Sequence, residues 1–225
     1  MRLRTRDGCA ARFAERVLMI AIIDYGIGNL GSIVNMLTKI GAESVRTADP
    51  AVLARAQALI LPGVGSFDVG MRQLRATGIV DLLNRRVLEE RTPILGICLG
   101  MQLLSRGSEE GGEPGLAWLD ATTERIRVEQ AATPLRVPHM GWNEVTPRNG
   151  SPLLNTLGAT PRFYFAHSYH VVCREPSDVA ATVTYGGTLT AAVTRGNIYG
   201  TQFHPEKSHR FGLQLMTNFV ERTRE

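Results

Sequence analysis

A cysteine between two glycines, Gly96-Ile97-Cys98-Leu99-Gly100, separates the apolar run Pro93-Ile94-Leu95 from the helical start Met101-Gln102-Leu103-Leu104. Strand, sharp turn and helix follow one another in close succession. Such a turn lifts the Cys98 side chain out of the backbone at a helix N-terminus, where the helix dipole favours thiolate over thiol. The flanking glycines let a second backbone or a substrate approach the sulfur. A lone cysteine beside an apolar run is ordinarily a buried core residue. What points Cys98 towards chemistry is a second segment far downstream, Gln202-Phe203-His204-Pro205-Glu206. His204 and Glu206 stand two residues apart at the end of an apolar strand running from Ile198 to Phe203. Period-two geometry predicts both side chains on one side of the chain. The carboxylate would then fix the imidazole tautomer and stabilise the imidazolium, leaving the other ring nitrogen to take a thiol proton.

The elbow belongs to a regular alternation. Ile20 to Asp24 reads as a buried strand, Tyr25 to Asn29 as a turn, and Leu30 to Ile40 as a helix stopped by Gly41. Ser44-Val45-Arg46 and Ala58 to Leu61 follow as strands, the latter ending in Pro62-Gly63-Val64-Gly65; Phe67 to Leu74 and Ile79 to Glu90 read as helices. Alternating strands and helices predict an α/β fold with a central, mostly parallel sheet flanked by helices. After Arg106 the texture changes. A glycine-rich surface loop spans Glu109 to Gly115, and strand-like runs dominate from Ala121 to Val193. Phe163-Tyr164-Phe165, Val171-Val172-Cys173, Val179 to Tyr185 and Leu189 to Val193 read as strands, partly antiparallel, and Ser208 to Arg222 as a closing amphipathic helix.

At 225 residues the chain suits one large domain with no need of disulfide staples. Its three cysteines, Cys9, Cys98 and Cys173, lack the count and spacing of a disulfide framework or a zinc site and suit a reducing, cytoplasmic compartment. The net charge of +4 invites a nucleic-acid reading, but residues 1–18 alone carry five arginines against Asp7 and Glu15. The remainder shows no basic stripe interleaved with aromatics, so no nucleic-acid partner is expected. No apolar run is long enough for a membrane span. Residues 1–18 read as an N-terminal extension, disordered or translated from a start upstream of Met19, and 19–225 as the functional domain.

The order Cys98, His204, Glu206 resembles the class I glutamine amidotransferases, in which a cysteine on a Gly-x-Cys-x-Gly elbow and a His-Pro-Glu hydrolyse the side-chain amide of glutamine. Attack on an amide creates an oxyanion, and one backbone N–H aimed at it contributes about 3 kcal/mol. The N–H of Leu99 is one expected donor. A second is expected from the loop of Gly63, Val64 and Gly65, on a strand beside the nucleophile strand. The segments Pro62 to Gly65, Gly96 to Gln102, His139 to Asn143, Phe163 to Tyr169 and Tyr199 to Ser208 narrow the resemblance to the glutaminase subunits of imidazole glycerol phosphate synthase. The related enzymes that make anthranilate or GMP usually carry Pro-Gly-Gly where this chain has Pro-Gly-Val-Gly.

The resemblance implies that Cys98 is acylated by glutamine and that His204 protonates the departing ammonia. It implies that Gly65, Gln102, His167, Ser168 and Tyr169 hold the substrate. It further implies a separate (β/α)₈ cyclase subunit that receives ammonia through a tunnel, with Trp142, Tyr164 and Lys207 at the interface, and neither metal nor cofactor. Val64, being β-branched, is expected to resist the peptide flip that aims its loop's N–H at the oxyanion, making glutamine hydrolysis dependent on the partner. His167 competes with His204 as base but lacks a carboxylate two residues away. His139, His170 and His209 read as structural histidines of core strands. The glycines of Tyr25-Gly26-Ile27-Gly28-Asn29 suit a tight strand-to-helix turn better than a dinucleotide site. Three other readings share these motifs: a paralogous subunit feeding a sugar amidotransferase, a different thiol hydrolase of similar fold, and a regulatory subunit with a dead site.

Overall fold

The computed structural model describes residues 19–128, 134–148, 150–158 and 160–223, so the expected extension at 1–18 lies outside the described residues. The chain begins β1 (Met19–Ile23), α1 (Leu30–Lys39), β2 (Glu43–Thr47), the single turn α2 (Pro50–Leu53) and β3 (Ala58–Gly63). It continues through α3 (Phe67–Ala76), α4 (Val80–Asn84), β4 (Ile94–Cys98) and α5 (Leu99–Gln102). A strand-rich half follows: β5 (Ala121–Arg125), β6 (His139–Pro147), β7 (Arg162–His167), β8 (Tyr169–Cys173), β9 (Val179–Thr184), β10 (Thr188–Arg195) and β11 (Ile198–Thr201), closed by α6 (His209–Arg222).

Nine strands form one sheet in the order β2-β1-β3-β4-β11-β10-β9-β6-β7, and β5 pairs with β8 beside it. The first five positions are parallel; from β10 onward the pairings are antiparallel. This is the mixed α/β architecture expected from the alternation of apolar runs. Strand periodicity divides the core in two. Ile20, Ile22, Ala58 and Ile60 face a cluster closed by α1 and α6, whereas Ala21, Ile23, Leu59 and Leu61 face one closed by α3 and α4. Central strands buried on both faces read as continuous apolar runs. Helix α1 buries Leu30, Ile33 and Leu37 on one stripe, and Gly41 stops the segment at a φ of +74°. Among the described residues no helix is long and apolar enough to cross a membrane.

Three expectations are corrected. The helix expected from Ile79 to Glu90 is α4 followed by a π-helical turn, Arg85–Glu89. The helix after Cys98 is a single turn, so its dipole is short and contributes little at the sulfur. The strand expected to reach Phe203 ends at Thr201. What positions the site is the sheet. Strands β3, β4 and β11 are adjacent and parallel, with Gly63 opposite Cys98 and Thr201 opposite Ile97. Their carboxyl ends therefore deliver the 63–65 loop, the nucleophile and the His204 segment to one edge, where open α/β sheets bind ligands.

Candidate active site

Cys98 closes β4 at φ +55°, ψ −111°, a conformation that side chains other than glycine rarely adopt. The strain is held by close packing around the elbow. A Cβ on Gly100 would lie 1.8 Å from the carbonyl oxygen of Leu61, and one on Gly96 would lie 2.8 Å from the backbone of Gly100 and Met101. The two glycines thus let the turn pack against β3 and against itself. The cysteine is buried, but it lines a cavity of about 310 Å³.

His204 lines the same cavity and Glu206 stands behind it, though not for the reason their spacing suggested. His204 is extended (φ −100°, ψ 97°), and Pro205–Lys207 then form a 3-10 turn. That turn brings Glu206 Oε1 to 2.8 Å from His204 Nδ1. The Nδ1–H donates to the carboxylate, which leaves Nε2 for the hydrogen bond to Cys98. Burial opposes a charge on His204, but the hydrogen bonds and charges of Cys98 and Glu206 outweigh it, and its pKa is raised to about 10. The arrangement is an imidazolium held between a carboxylate and a sulfur.

The backbone of this segment is tied to β7. His204 N–H donates to Tyr164 O (2.9 Å), Tyr164 N–H to Ser208 Oγ (3.0 Å), and Ser208 Oγ–H to His204 O (2.6 Å). Phe203 stacks on Phe163 with ring centroids 3.8 Å apart.

Of the expected oxyanion residues, Val64 and Leu99 line the cavity beside Cys98, as does Gly65. Gly63 sits behind them; a Cβ there would lie 2.8 Å from Gly100 N, Leu99 Cβ and Tyr25 Oη. Tyr25 Oη in turn donates to Pro62 O at 2.6 Å, fixing the peptide that leads into the loop. The loop bends at Gly65, with φ +97°, while Val64 stays at negative φ and is 44% exposed.

Gln102, His167, Ser168 and Tyr169 also line the cavity. Gln102 Nε2 donates to Tyr169 O (2.9 Å) and to Gln202 Oε1 (3.1 Å), leaving its own Oε1 as an acceptor. His167 lies in the same cavity, but both ring nitrogens are engaged, by His139 at 3.0 Å and Tyr169 O at 2.8 Å. Burial pushes its pKa down to about 3. It is neutral and has no free nitrogen with which to act as base. Trp142, Tyr164 and Lys207 form one cluster. Trp142 stacks on His209 at 5.2 Å and meets Tyr164 edge-on, and Lys207 Nζ lies 5.7 Å above the Tyr164 ring. Val64, Met140 and Trp142 are exposed apolar side chains.

Two residues, one lining the cavity and one buried behind it, had no role in the expectations from sequence. Glu110, in the glycine-rich loop, lines the cavity and accepts the Phe67 N–H at 2.8 Å, which ties that loop to the start of α3. Nothing in a loop rich in glycine and glutamate marks one carboxylate over its neighbours. Gln202 reaches Cys98 Sγ at 3.8 Å through Nε2. Its place two residues before His204 was the one available signal. Among the described residues no group of three or more His, Cys, Asp or Glu side chains is placed to hold a metal ion.

Comparison with known proteins identifies the family. Residues 21–223 match the family model "Glutamine amidotransferase class-I". The imidazole glycerol phosphate synthase subunit HisH 2 of Methanococcus maripaludis is 50% identical over 203 residues, covering 90% of this chain and 99% of that protein. The subunit of the same name from Pseudomonas aeruginosa is 48% identical, with the same coverage. Among solved structures, PurLQS from Thermotoga maritima superposes with a TM-score of 0.68 at 18% identity, over 91% of this chain and 98% of the matched one, a likeness of fold. The chain belongs to the class I glutamine amidotransferase family and, within it, to the HisH subunits of imidazole glycerol phosphate synthase.

Proposed function

We propose that this chain hydrolyses L-glutamine at Cys98 and hands the ammonia to a (β/α)₈ cyclase subunit bound over the edge carrying Trp142, Tyr164 and Lys207. The observation that carries the reading is that Cys98, on its strained elbow, and His204, backed by Glu206, come together at one cavity. The Cys98 thiolate attacks the δ-carbon of glutamine, and the carbonyl electrons move to oxygen. The N–H of Leu99 and a donor from the 63–65 loop stabilise that oxyanion. As the tetrahedral species collapses, the C–N bond breaks and His204 Nε2–H gives its proton to the nitrogen, releasing ammonia and a γ-glutamyl thioester. Neutral His204 then takes a proton from water, hydroxide attacks the thioester, and glutamate leaves as the thiolate returns. Glu206 holds Nδ1–H throughout, so the same nitrogen serves as acid and base.

Gln102 Oε1 and the Glu110 carboxylate provide acceptors for the α-amino group of the substrate, and the 167–169 segment walls its α-carboxyl end. The cyclase would use the ammonia to release imidazole glycerol phosphate and an aminoimidazole carboxamide ribonucleotide in histidine biosynthesis, in the cytoplasm, where the thiol stays reduced. Residues 19–225 act as one glutaminase domain, and residues 1–18 are dispensable.

The test is co-purification with the cognate cyclase, followed by assay of glutamate release and synthase product. Glutamine-dependent synthesis by the pair is the expected result. Failure to hydrolyse glutamine with any cyclase, or stable assembly with a sugar amidotransferase instead, would overturn the reading.

A further inference from the structure

The β6–β7 hairpin buries two histidines that the chemistry above does not use as acids or bases. His139 opens β6, His167 closes β7, and the two are register partners across the hairpin. His139 is 1% exposed, and its ring is clamped between Phe165 and Tyr185, with centroids 4.6 Å and 4.0 Å away.

The hydrogen bonds of this pair have one consistent direction. A carbonyl only accepts, so His167 Nδ1–H donates to Tyr169 O at 2.8 Å. Neutral His167 must then accept at Nε2, and the donor 3.0 Å away is His139 Nδ1–H. His139 Nε2 is left to accept, and Asn143 Nδ2 supplies the proton at 2.9 Å. Both rings are kept neutral by burial, with pKa values lowered to about 4 for His139 and about 3 for His167. The Tyr169 carbonyl takes its second proton from Gln102 Nε2, Gln102 donates its other amide proton to Gln202, and Gln202 reaches the Cys98 sulfur. One directed chain therefore runs from Asn143 to the wall of the glutamine cavity and meets the chain that ends at the nucleophile.

We propose that His139, oriented by Asn143, is a positioning residue for the glutamine pocket: its Nδ1–H pins the His167 ring at Nε2, and so the 167–169 wall and the Gln102 side chain that shares the Tyr169 carbonyl. Without that donor, the His167 Nε2 is buried and unpaired. The ring is then free to turn towards the cavity it lines, where Nε2 finds a partner, and that turn weakens the donation of Nδ1–H to Tyr169 O. The wall is then held from one side only. A wall that touches substrate in ground and transition state alike acts on KM more than on kcat.

This inference rests on the glutaminase reading, and a paired substitution separates the two. His139→Phe keeps a flat ring between Phe165 and Tyr185 but lacks the donor. His139→Asn loses the ring but keeps an amide N–H near the Nδ1 position. Glutamate release by the complex with its synthase partner is measured across glutamine concentrations, alongside thermal unfolding. The expected result is a glutamine KM raised about tenfold in the Phe variant, with kcat within about twofold, and a KM near wild type in the Asn variant even though it melts lower. Asn143→Leu, at the half-buried end of the chain, should raise KM a few-fold and decides the question if His139→Phe does not fold. A role in packing alone gives the reverse order, with the Asn variant impaired and the Phe variant normal. That order, or a KM unchanged in both the Phe and Leu variants, overturns the inference while leaving the glutaminase reading intact. A wild-type complex that releases no glutamate overturns both.

Discussion

Burial works against a charged His204, yet the hydrogen bonds to Cys98 and Glu206 hold its pKa at about 10, so the group that must give ammonia its proton already carries one. Glu206 supports that charge through a single oxygen. Its Oε1 faces His204 Nδ1, and Oε2 is buried with no hydrogen-bond partner among the described residues. Glu206→Gln removes the charge and offers an amide that can bond the wrong tautomer. We expect kcat for glutamine hydrolysis to fall at least about a hundredfold with KM little changed, measured as glutamate release by the complex. Cys98→Ser should abolish glutamine-dependent synthesis, because a serine hydroxyl lacks thiolate character, while synthesis from ammonium salts persists. Substantial glutamine turnover in a clean Cys98→Ser preparation would remove Cys98 from the mechanism.

The elbow joins these residues to the elements that carry them, and it is where the sequence was most legible. Gly96 and Gly100 flank the nucleophile because β4 and α5 pack backbone to backbone against β3, so a local pattern encodes a local contact. Gly100→Ala drives a methyl into Leu61 O, 1.8 Å from the ideal Cβ, and should cost about 3 kcal/mol. Calorimetry should show Tm lowered by about 10 °C. Central strands β1, β3 and β4 were equally readable, since burial on both faces leaves only apolar residues. Strand β5, Ala121-Thr122-Thr123-Glu124-Arg125, was not, because its pairing with β8 comes from tertiary context and its alternation is weak. Glu110 and His139 were invisible as site residues for a related reason, and Gln202 was marked only by its place two residues before His204. Gln102 and Gln202 are a hundred residues apart in sequence, and only the adjacency of β4 and β11 joins them. The 63–65 loop lies between these cases. Its glycines announced a turn, and the structure adds that Gly65 takes the positive φ while Val64 does not. Val64→Gly should ease rotation of that peptide and raise the glutaminase rate of the subunit without its partner, towards the 10²–10³-fold that one oxyanion donor is worth, about 3–4 kcal/mol. An unchanged basal rate would place the gate elsewhere.

At the scale of the whole molecule, the polar chain inside the β6–β7 hairpin ties stability to pH. His139 and His167 are buried neutral, with pKa values lowered by desolvation to about 4 and about 3, and burial lowers His170 as well. In the unfolded chain the same side chains titrate near 6.5. Below that pH the unfolded state takes up protons that the folded state refuses, so stability is complete above about pH 6.5 and is lost as pH falls towards the folded values. His204 has the opposite sign. Its pKa is raised on folding, so its contribution is complete below about pH 6.5 and is lost as pH rises towards 10. From pH 7 to 5 it therefore gains, by less than about 1 kcal/mol, because its unfolded form is already taking up its proton there. Over the same two pH units, above the range of ordinary carboxylates, each proton refused by His139 or His167 costs about 2 kcal/mol. Urea unfolding should therefore show a net loss of about 3 kcal/mol from these three groups. His139→Asn, which keeps the N–H but cannot be protonated, starts less stable at pH 7 for want of its ring. It should nevertheless lose about 2 kcal/mol less than wild type on going to pH 5. The comparison of slopes, not of absolute stabilities, is the measurement: equal slopes in the two proteins would mean that His139 accepts its proton in the folded state, at the Nε2 that otherwise accepts from Asn143.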